Sequence, residues 1–466
     1  MRFLPLSLQF QTQLSNQLLN KDDQIVTHPT IQTPLTLPCG IILKNRLAKA
    51  AMTEGLADSD GVPTGGLTRL YRGWADGGCG LLITGNIIIE PDHLERPGNV
   101  VLAGPLSADA TAKFKAWTTA GTSHDTQLWA QLSHGGRQTQ KLINPAPKAP
   151  SAVKLGLPGG QFGKPEAMTE AEIEAVIAAF ASAAKQCQAL GFTGVQVHAA
   201  HGYLLSSFLN PLANVRTDRF GGSLENRAWP LLEAVRRCRA ETGTSFGIGV
   251  KLNSSDFQKG GLSTADSVHV AKWLEVLGVD LLEVSGGNYE APEMMGMEGI
   301  DADAPRPPKS TSTLAREAYF ISFARELRAQ VKMPVMLTGG LRSRAGMQEA
   351  LNEGVDVIGI ARPLIVDLGV AQALLGGSTE SLPKWEDALS GKPGIFGPKS
   401  SVKFIRMIFG FATTYWYYVQ FWRHARDGHA DPALKPLAAL SEVTRVSKRL
   451  AAARGGPPQS AVSDNL

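Results

Sequence analysis

His198 and His201 stand three residues apart, and Tyr203 follows closely in the run His198-Ala199-Ala200-His201-Gly202-Tyr203. Imidazole and phenol groups can hydrogen-bond a substrate oxygen and can hold or release a proton. A histidine pair can also bind a metal. No glutamate or third ligand stands at a suitable spacing, so no metal is expected. Histidines satisfied inside a core are the structural alternative, and the run alone does not decide between that and a grip on substrate.

Other polar groups stand in the same kind of place, at or just past the end of a short apolar run. Thr53 follows Leu47–Ala51, and Gln131-Leu132-Ser133-His134-Gly135-Gly136-Arg137 closes Leu128–Leu132. Lys251 lies at the end of Gly247–Leu252, and Ser285 follows Leu281–Val284. Thr338-Gly339-Gly340 ends Val335–Thr338, and Ala361-Arg362 follows Val357–Ile360. With Leu81–Thr84 and Gly194–His198, the apolar runs number eight. They are apolar throughout rather than alternating, as strands of a parallel sheet covered on both faces are.

Helical patterns fall between the runs. Thr169-Glu170-Ala171-Glu172 reads as a capping box, with Ile173, Val176, Ile177, Phe180, Ala184 and Cys187 behind it at helical spacing and Gly191 placed to end the helix. Further helices are expected over about 265–277, 314–330 and 344–351. Strands alternating with helices predict the α/β class, and eight such strands predict a (β/α)8 TIM barrel. The open doubly wound sheet is the alternative, but Gly-x-Gly-x-x-Gly does not follow an early strand. In a barrel the polar strand ends meet at one mouth although they are far apart in the chain. Gly339, Gly340, Ala361 and Arg362 then occupy the usual place of a phosphate site, where glycine lets the backbone approach an anion and arginine adds a charge-assisted contact.

The chain has 466 residues, 43% of them hydrophobic, which is enough for a large core. Its formal net charge of +4 gives no argument for a nucleic-acid partner. From Phe396 onward, ten basic residues face four acidic ones, so the main body is nearly neutral and the tail is basic. Cys39, Cys79, Cys187 and Cys238 form no Cys-x-x-Cys pair, and so few thiols fit a reducing, cytoplasmic setting. Cys79 is expected to be a small buried thiol. The N-terminus is interrupted by glutamines and no signal peptide is expected. The apolar stretch at Met407–Val419 is too short to span a bilayer. The organisation expected is a tail at 1–28, a barrel at 29–370, a C-terminal extension with an aromatic helix at 371–450 and a disordered end at 451–466. Tyr415, Trp416, Tyr417, Tyr418, Phe421 and Trp422 should pack back on the barrel, with a homo-oligomer contact as the other possibility. Long loops at Pro145–Pro165 and Gly286–Ser312 should shape a pocket, and Leu382–Ser401 reads as loop.

The run from His198 to Pro211 resembles the active-site segment of the Old Yellow Enzyme family, FMN-dependent NADH:flavin oxidoreductases. The run Asn214-Val215-Arg216-Thr217-Asp218-Arg219-Phe220-Gly221-Gly222-Ser223-Leu224-Glu225-Asn226-Arg227 continues the match. So do Leu43-Lys44-Asn45-Arg46-Leu47, the Gln131–Arg137 segment and the two phosphate segments, in order over roughly residues 35–367. The resemblance implies FMN held at the barrel mouth. Ala51, Met52 and Thr53 would line it, with a Thr53 hydroxyl to hydrogen-bond flavin O4. Gln131 would meet the pyrimidine edge, Lys251 would lie near N1, and Gly339, Gly340, Ala361 and Arg362 would hold the phosphate. NADPH or NADH would reduce the flavin. An electron-poor alkene (enone, enal or nitroalkene) would then bind with its activating oxygen on His198 and His201. Hydride would come from flavin N5 and the proton from Tyr203. The alternatives are the same barrel as an NADH oxidase, dehydrogenase or isomerase, or a non-catalytic FMN-binding barrel. Asp218, Glu225, Asn226 and Arg227 are expected to brace a loop, and Arg219 to be exposed.

Overall fold

The computed structural model describes residues 28–157, 160–287, 289–290, 313–389 and 403–455. Eight parallel strands close on themselves: β1 (Leu47–Lys49), β2 (Leu81–Ile88), β3 (Gln127–Ser133), β4 (Gly194–Ala199), β5 (Gly247–Asn253), β6 (Leu281–Ser285), β7 (Val335–Thr338) and β8 (Val357–Ile360). β8 pairs with β1 and β1 with β2, which completes the (β/α)8 barrel. All eight apolar runs are strands.

Alternation within each strand sorts the side chains into two cores. Leu128, Leu132, Val195, Val197, Ile248, Val250, Leu282, Val284 and Leu337 point outward and pack under the helices. Ala48, Ala50, Leu81, Ile83, Trp129, Leu281, Met336 and Val357 fill the lower barrel. Trp129 is the plug of that lower layer. Its indole occupies the space left by three glycines: a Cβ added to Gly194 or Gly247 would sit 2.5 Å from the ring, and one on Gly249 2.8 Å from it. Above the plug the inward residues turn polar. Gln131 is level with Gln196, and Lys251 is level with both His198 and Glu283.

The helices are α1 (Gly65–Asp76), α2 (Ala108–Gly121), α3 (Glu170–Leu190), α4 (Leu224–Thr242), α5 (Thr264–Val276), α6 (Thr313–Arg328) and α7 (Arg344–Asn352). The Thr169 capping box forms in full, and Gly191 ends α3 at φ +92°. α1, α2 and α4 had no counterpart in the sequence reading. α4 carries Pro230 inside it, a residue that normally argues for a break.

Past the barrel come α8 (Lys403–Asp427) and α9 (Pro436–Ala453), an antiparallel pair. Arg423 meets Glu442 with two contacts of 2.8 and 3.0 Å, and Trp416 Nε1 donates to Leu434 O at the turn. α8 packs on α1. Phe421 lies edge-on to Trp74 at 5.9 Å, Arg69 Nε donates to Ala425 O, and Trp422 Nε1 donates to Glu54 O. Beneath them Lys49 is fully buried. Its ammonium donates to Ile83 O at 2.7 Å, lies 3.6 Å from Glu54 and sits over the Trp74 ring; burial pushes it down to about 8.

Two expectations are corrected here. Ala451–Ala453 are helical and Arg454 donates to Pro91 O, so order continues past the expected start of a disordered end; 456–466 lie outside the described residues. Part of the expected 382–401 loop is a short helix, Trp385–Leu389, anchored by Leu382 N donating to Arg342 O; 390–401 lie outside the described residues. Most of the Gly286–Ser312 loop also lies outside them. Among the described residues, no helix is long and apolar enough to cross a membrane.

Candidate active site

The end of β4 brings His201 and Tyr203 each against His198. The two imidazoles are perpendicular at 5.3 Å, and the Tyr203 ring lies 4.8 Å from His198. His201 has φ +63°, a costly conformation for a non-glycine residue. It is held there by Asn253 Oδ1 on its backbone N–H and by Ser285 Oγ, 2.7 Å from its Nε2. His198 Nδ1 accepts from Ala200 N, so a neutral His198 carries its proton on Nε2 and can donate.

Both imidazoles stay neutral in the folded protein. Burial pushes His198 well below its usual range, with the neighbouring His201 and Lys251 adding to it, and pushes His201 down to about 3. The unfolded chain takes up these protons near the ordinary histidine value of about 6.5. Stability is therefore full above that value and is lost as pH falls toward the folded value, by up to about 1.4 kcal/mol per pH unit for each histidine. His201→Asn should flatten the fall in urea midpoint between pH 6.5 and acid; an unchanged slope would show that His201 is not buried neutral.

Tyr203 is buried, and burial raises its phenol well above the usual range, so it is protonated at neutral pH. Its hydroxyl lies 2.9 Å from that of Tyr289, which donates at 3.4 Å to Glu95. Glu95 also accepts from Thr53 Oγ1 at 2.6 Å and Asn86 Nδ2 at 2.8 Å. With its proton directed at Glu95, the Thr53 hydroxyl presents lone pairs to any further partner. Ala51 and Met52 lie beside it, half-buried at the end of β1.

The polar layer above Trp129 is one chain of contacts. Gln131 Nε2 donates to Gln196, Gln196 Nε2 donates to Glu283, and Glu283 pairs with Lys251 at 2.9 Å. Lys251 is therefore not an isolated cation, and its charge is balanced inside the barrel.

At the ends of β7 and β8, Gly339 and Gly340 have φ of +139° and +83°, conformations that L side chains rarely adopt. Thr338 Oγ1 beside them is buried with no partner among the described residues. Arg362 and Arg342 converge there on Glu386, Arg342 at 3.4 Å. Arg342 is further fixed by donating to Pro383 O at 2.6 Å. Two guanidiniums, an unpartnered hydroxyl and a glycine backbone fit a phosphate. Arg342, Glu386, Glu95 and Tyr289 were absent from the sequence reading. Arg342 stands two residues past Gly340, near enough to have been picked out; the others are brought in from distant segments.

Glu90, His93 and His134 form a possible metal-ligand group among the described residues. The hydrogen bonds argue against that use. Lys148 N donates to His93 Nε2 and Gly136 N donates to His134 Nδ1. His134 so carries its proton on Nε2, facing Glu90, while His93 turns Nδ1 to Asp92 and Glu90, which, against the cost of burial, push the ring up to about 9. Against the cost of burial, the histidine hydrogen bonds hold the Glu90 carboxyl well below its ordinary range, and His134, driven mainly by burial, falls to about 4. The cluster braces the segment after β3.

Of the four residues expected to brace a loop, Asp218, Asn226 and Arg227 hold it, while Glu225 is exposed. Arg227 donates to Leu209 O and Gly222 O, Asn226 to Gly221 O, and Arg216 pairs with Asp218. Arg219 is exposed, paired with Glu170 and Glu174 and stacked on Phe220 at 4.4 Å. Cys79 is fully buried, and burial pushes its thiol up to about 12.

Barrels of this fold often carry a phosphate site at the ends of the seventh and eighth strands. The family is shown directly: the chain belongs to the NADH:flavin oxidoreductase / NADH oxidase family, of the Old Yellow Enzyme type, whose model matches residues 31–376. It is 35% identical over 358 residues to an NADH-dependent flavin oxidoreductase iliE from Hypocrea jecorina, covering 72% of this chain and 86% of that protein. The match to iliE from a Neonectria species is also 35%, over 374 residues, 76% of this chain but only 48% of the longer relative. An NADH oxidase from Thermoanaerobacter brockii is 30% identical, over 70% of this chain and 48% of its own length. Among solved structures, an old yellow enzyme homologue from Zymomonas mobilis matches with TM-score 0.63 and 25% identity, over 77% of this chain and 96% of its own.

Proposed function

We propose that this flavin oxidoreductase reduces electron-poor alkenes (enones, enals or nitroalkenes) with FMN as its cofactor and NADH or NADPH as electron source. The observation that carries the reading is that His201 and a buried, protonated Tyr203 both pack on His198 at the end of β4. Bound FMN supplies the two-electron chemistry between nicotinamide and alkene. Gly339, Gly340, Arg362 and Arg342 would hold its phosphate, Ala51, Met52 and Thr53 its reactive side, and Gln131 its pyrimidine edge.

The roles of the side chains follow from their protonation. His198 and His201 are neutral, so they bind the activating oxygen as hydrogen-bond donors rather than as cations. Donors fixed in a dry site stabilise charge as it develops on that oxygen. Tyr203 holds the proton destined for the α-carbon, and burial keeps that proton in place until then. Glu283 anchors Lys251, which limits the positive charge offered to a reduced flavin. Relatives named NADH oxidase share this barrel, so direct oxidase turnover is the second reading. The buried free thiols fit a reducing, cytoplasmic setting.

Mixing the FMN-loaded protein anaerobically with NADH or NADPH should bleach the flavin, and adding a model enone should restore the colour. Tyr203→Phe should slow only the second step, by a factor of about 100 for loss of a general acid. Recolouring by oxygen alone, with no enone supporting turnover, would favour the oxidase.

A further inference from the structure

Glu95 lies on the segment after β2, is only 5% exposed and touches both halves of the site. Its Oε2 takes Thr53 and Asn86; its Oε1 takes Tyr289 at 3.4 Å, with Arg96 Nε beside it at 3.5 Å. Arg96 is itself held against the Tyr418 ring of α8 at 3.9 Å. A carboxylate offers only acceptors, and a hydroxyl owns one proton. The protons of Thr53 and Tyr289 are therefore both directed at Glu95. What remains of Tyr289 toward Tyr203 is a lone pair, so Tyr203 is the donor across the 2.9 Å contact.

We propose that Glu95 is a positioning residue for the acid: by holding the Tyr289 proton it keeps Tyr289 as an acceptor for Tyr203, and by releasing it supplies a donor to the phenolate that Tyr203 becomes. This rests on the alkene-reductase reading above. The proton balance is simple. The Tyr203 proton gives up its bond to Tyr289 and passes to the α-carbon, and one proton returns to Tyr203 from bulk water. Tyr289 only changes partner between those events. The leg that must give is the longer one, 3.4 Å to Glu95, and the leg that gains is the 2.9 Å contact to an oxygen that has just become charged. Among the described residues, His198, Tyr289, Glu95 and Tyr418 face the phenol, and Glu95 is the one carboxylate of that group. Its charge adds to burial in raising Tyr203.

Glu95→Gln keeps the shape but adds an amide donor, which would turn one of the two hydroxyls around. In the FMN-loaded protein, its recolouring by enone should slow about tenfold, a part of what a general acid contributes, with a larger solvent isotope effect. Bleaching by NADH should stay near the wild-type rate. In the cofactor-free protein the Tyr203 phenol, followed by ultraviolet difference absorbance against a Tyr203→Phe control, should titrate at lower pH than in wild type. Tyr289→Phe should slow the same step, and the double variant should be no slower than the slower single. Equal slowing of both steps, effects that multiply, or an unmoved phenol titration would overturn the assignment. A wild type that NADH bleaches but no enone recolours would instead refute the alkene-reductase reading, and this inference with it.

Discussion

Replacing His198 and His201 together with alanine will slow alkene reduction by a factor of about 1,000 or more, on the scale of one oxyanion donor being worth about 100 to 1,000. The two rings meet at right angles at the end of β4, and burial keeps both uncharged. Nothing else described at that strand end offers a pair of N–H donors to a carbonyl or nitro oxygen. The loss should appear in the rate of flavin recolouring by enone, with circular dichroism and FMN retention unchanged. A rate equal to that of the parent would remove both histidines from the role. Since Ser285 and Asn253 hold His201 in its left-handed backbone conformation, asparagine at 201 is the gentler control there.

The largest stability effect should come from Trp129→Ala. The indole is fully buried in the lower barrel, and emptying it should cost about 3–5 kcal/mol, read as a fall in urea midpoint. The three glycines make a sharper test. Gly194→Ala in the parent places a methyl 2.5 Å from the indole and should cost about 1–3 kcal/mol by overpacking. In the Trp129→Ala background the same change should be close to neutral, because the space it invades is then open. Additive costs would mean that Trp129 does not fill the gap those glycines leave.

What could be read ahead of the structure followed from local rules. Strands covered on both faces show as unbroken apolar runs, and all eight were placed this way. The ends of α3 were legible because Thr169, Glu172 and Gly191 each act within a few residues of themselves. α4 was hidden by Pro230, whose cost the packing of Leu231, Ala234 and Val235 overrides. The histidines, the tyrosine and the glycines of the phosphate cradle came from strand-end position and family likeness. Their partners did not. Glu95 and Tyr289 are separated by 194 residues, and no spacing rule links them. Lys251 and Thr53 are legible as polar residues at strand ends, but their partners Glu283 and Glu95 are not. Residue type suggests what a group can do; only its neighbours decide which of its protons are spoken for.

The packing of α8 on α1 has an architectural consequence. The matched family segment ends at residue 376, yet Tyr418 roofs Arg96 and Phe421 covers Trp74 from beyond that boundary. The added helices are thus mortared into the wall of the reaction chamber rather than hung from the back of the molecule. Cutting this chain at that boundary would strip Arg96 and Trp74 of their cover.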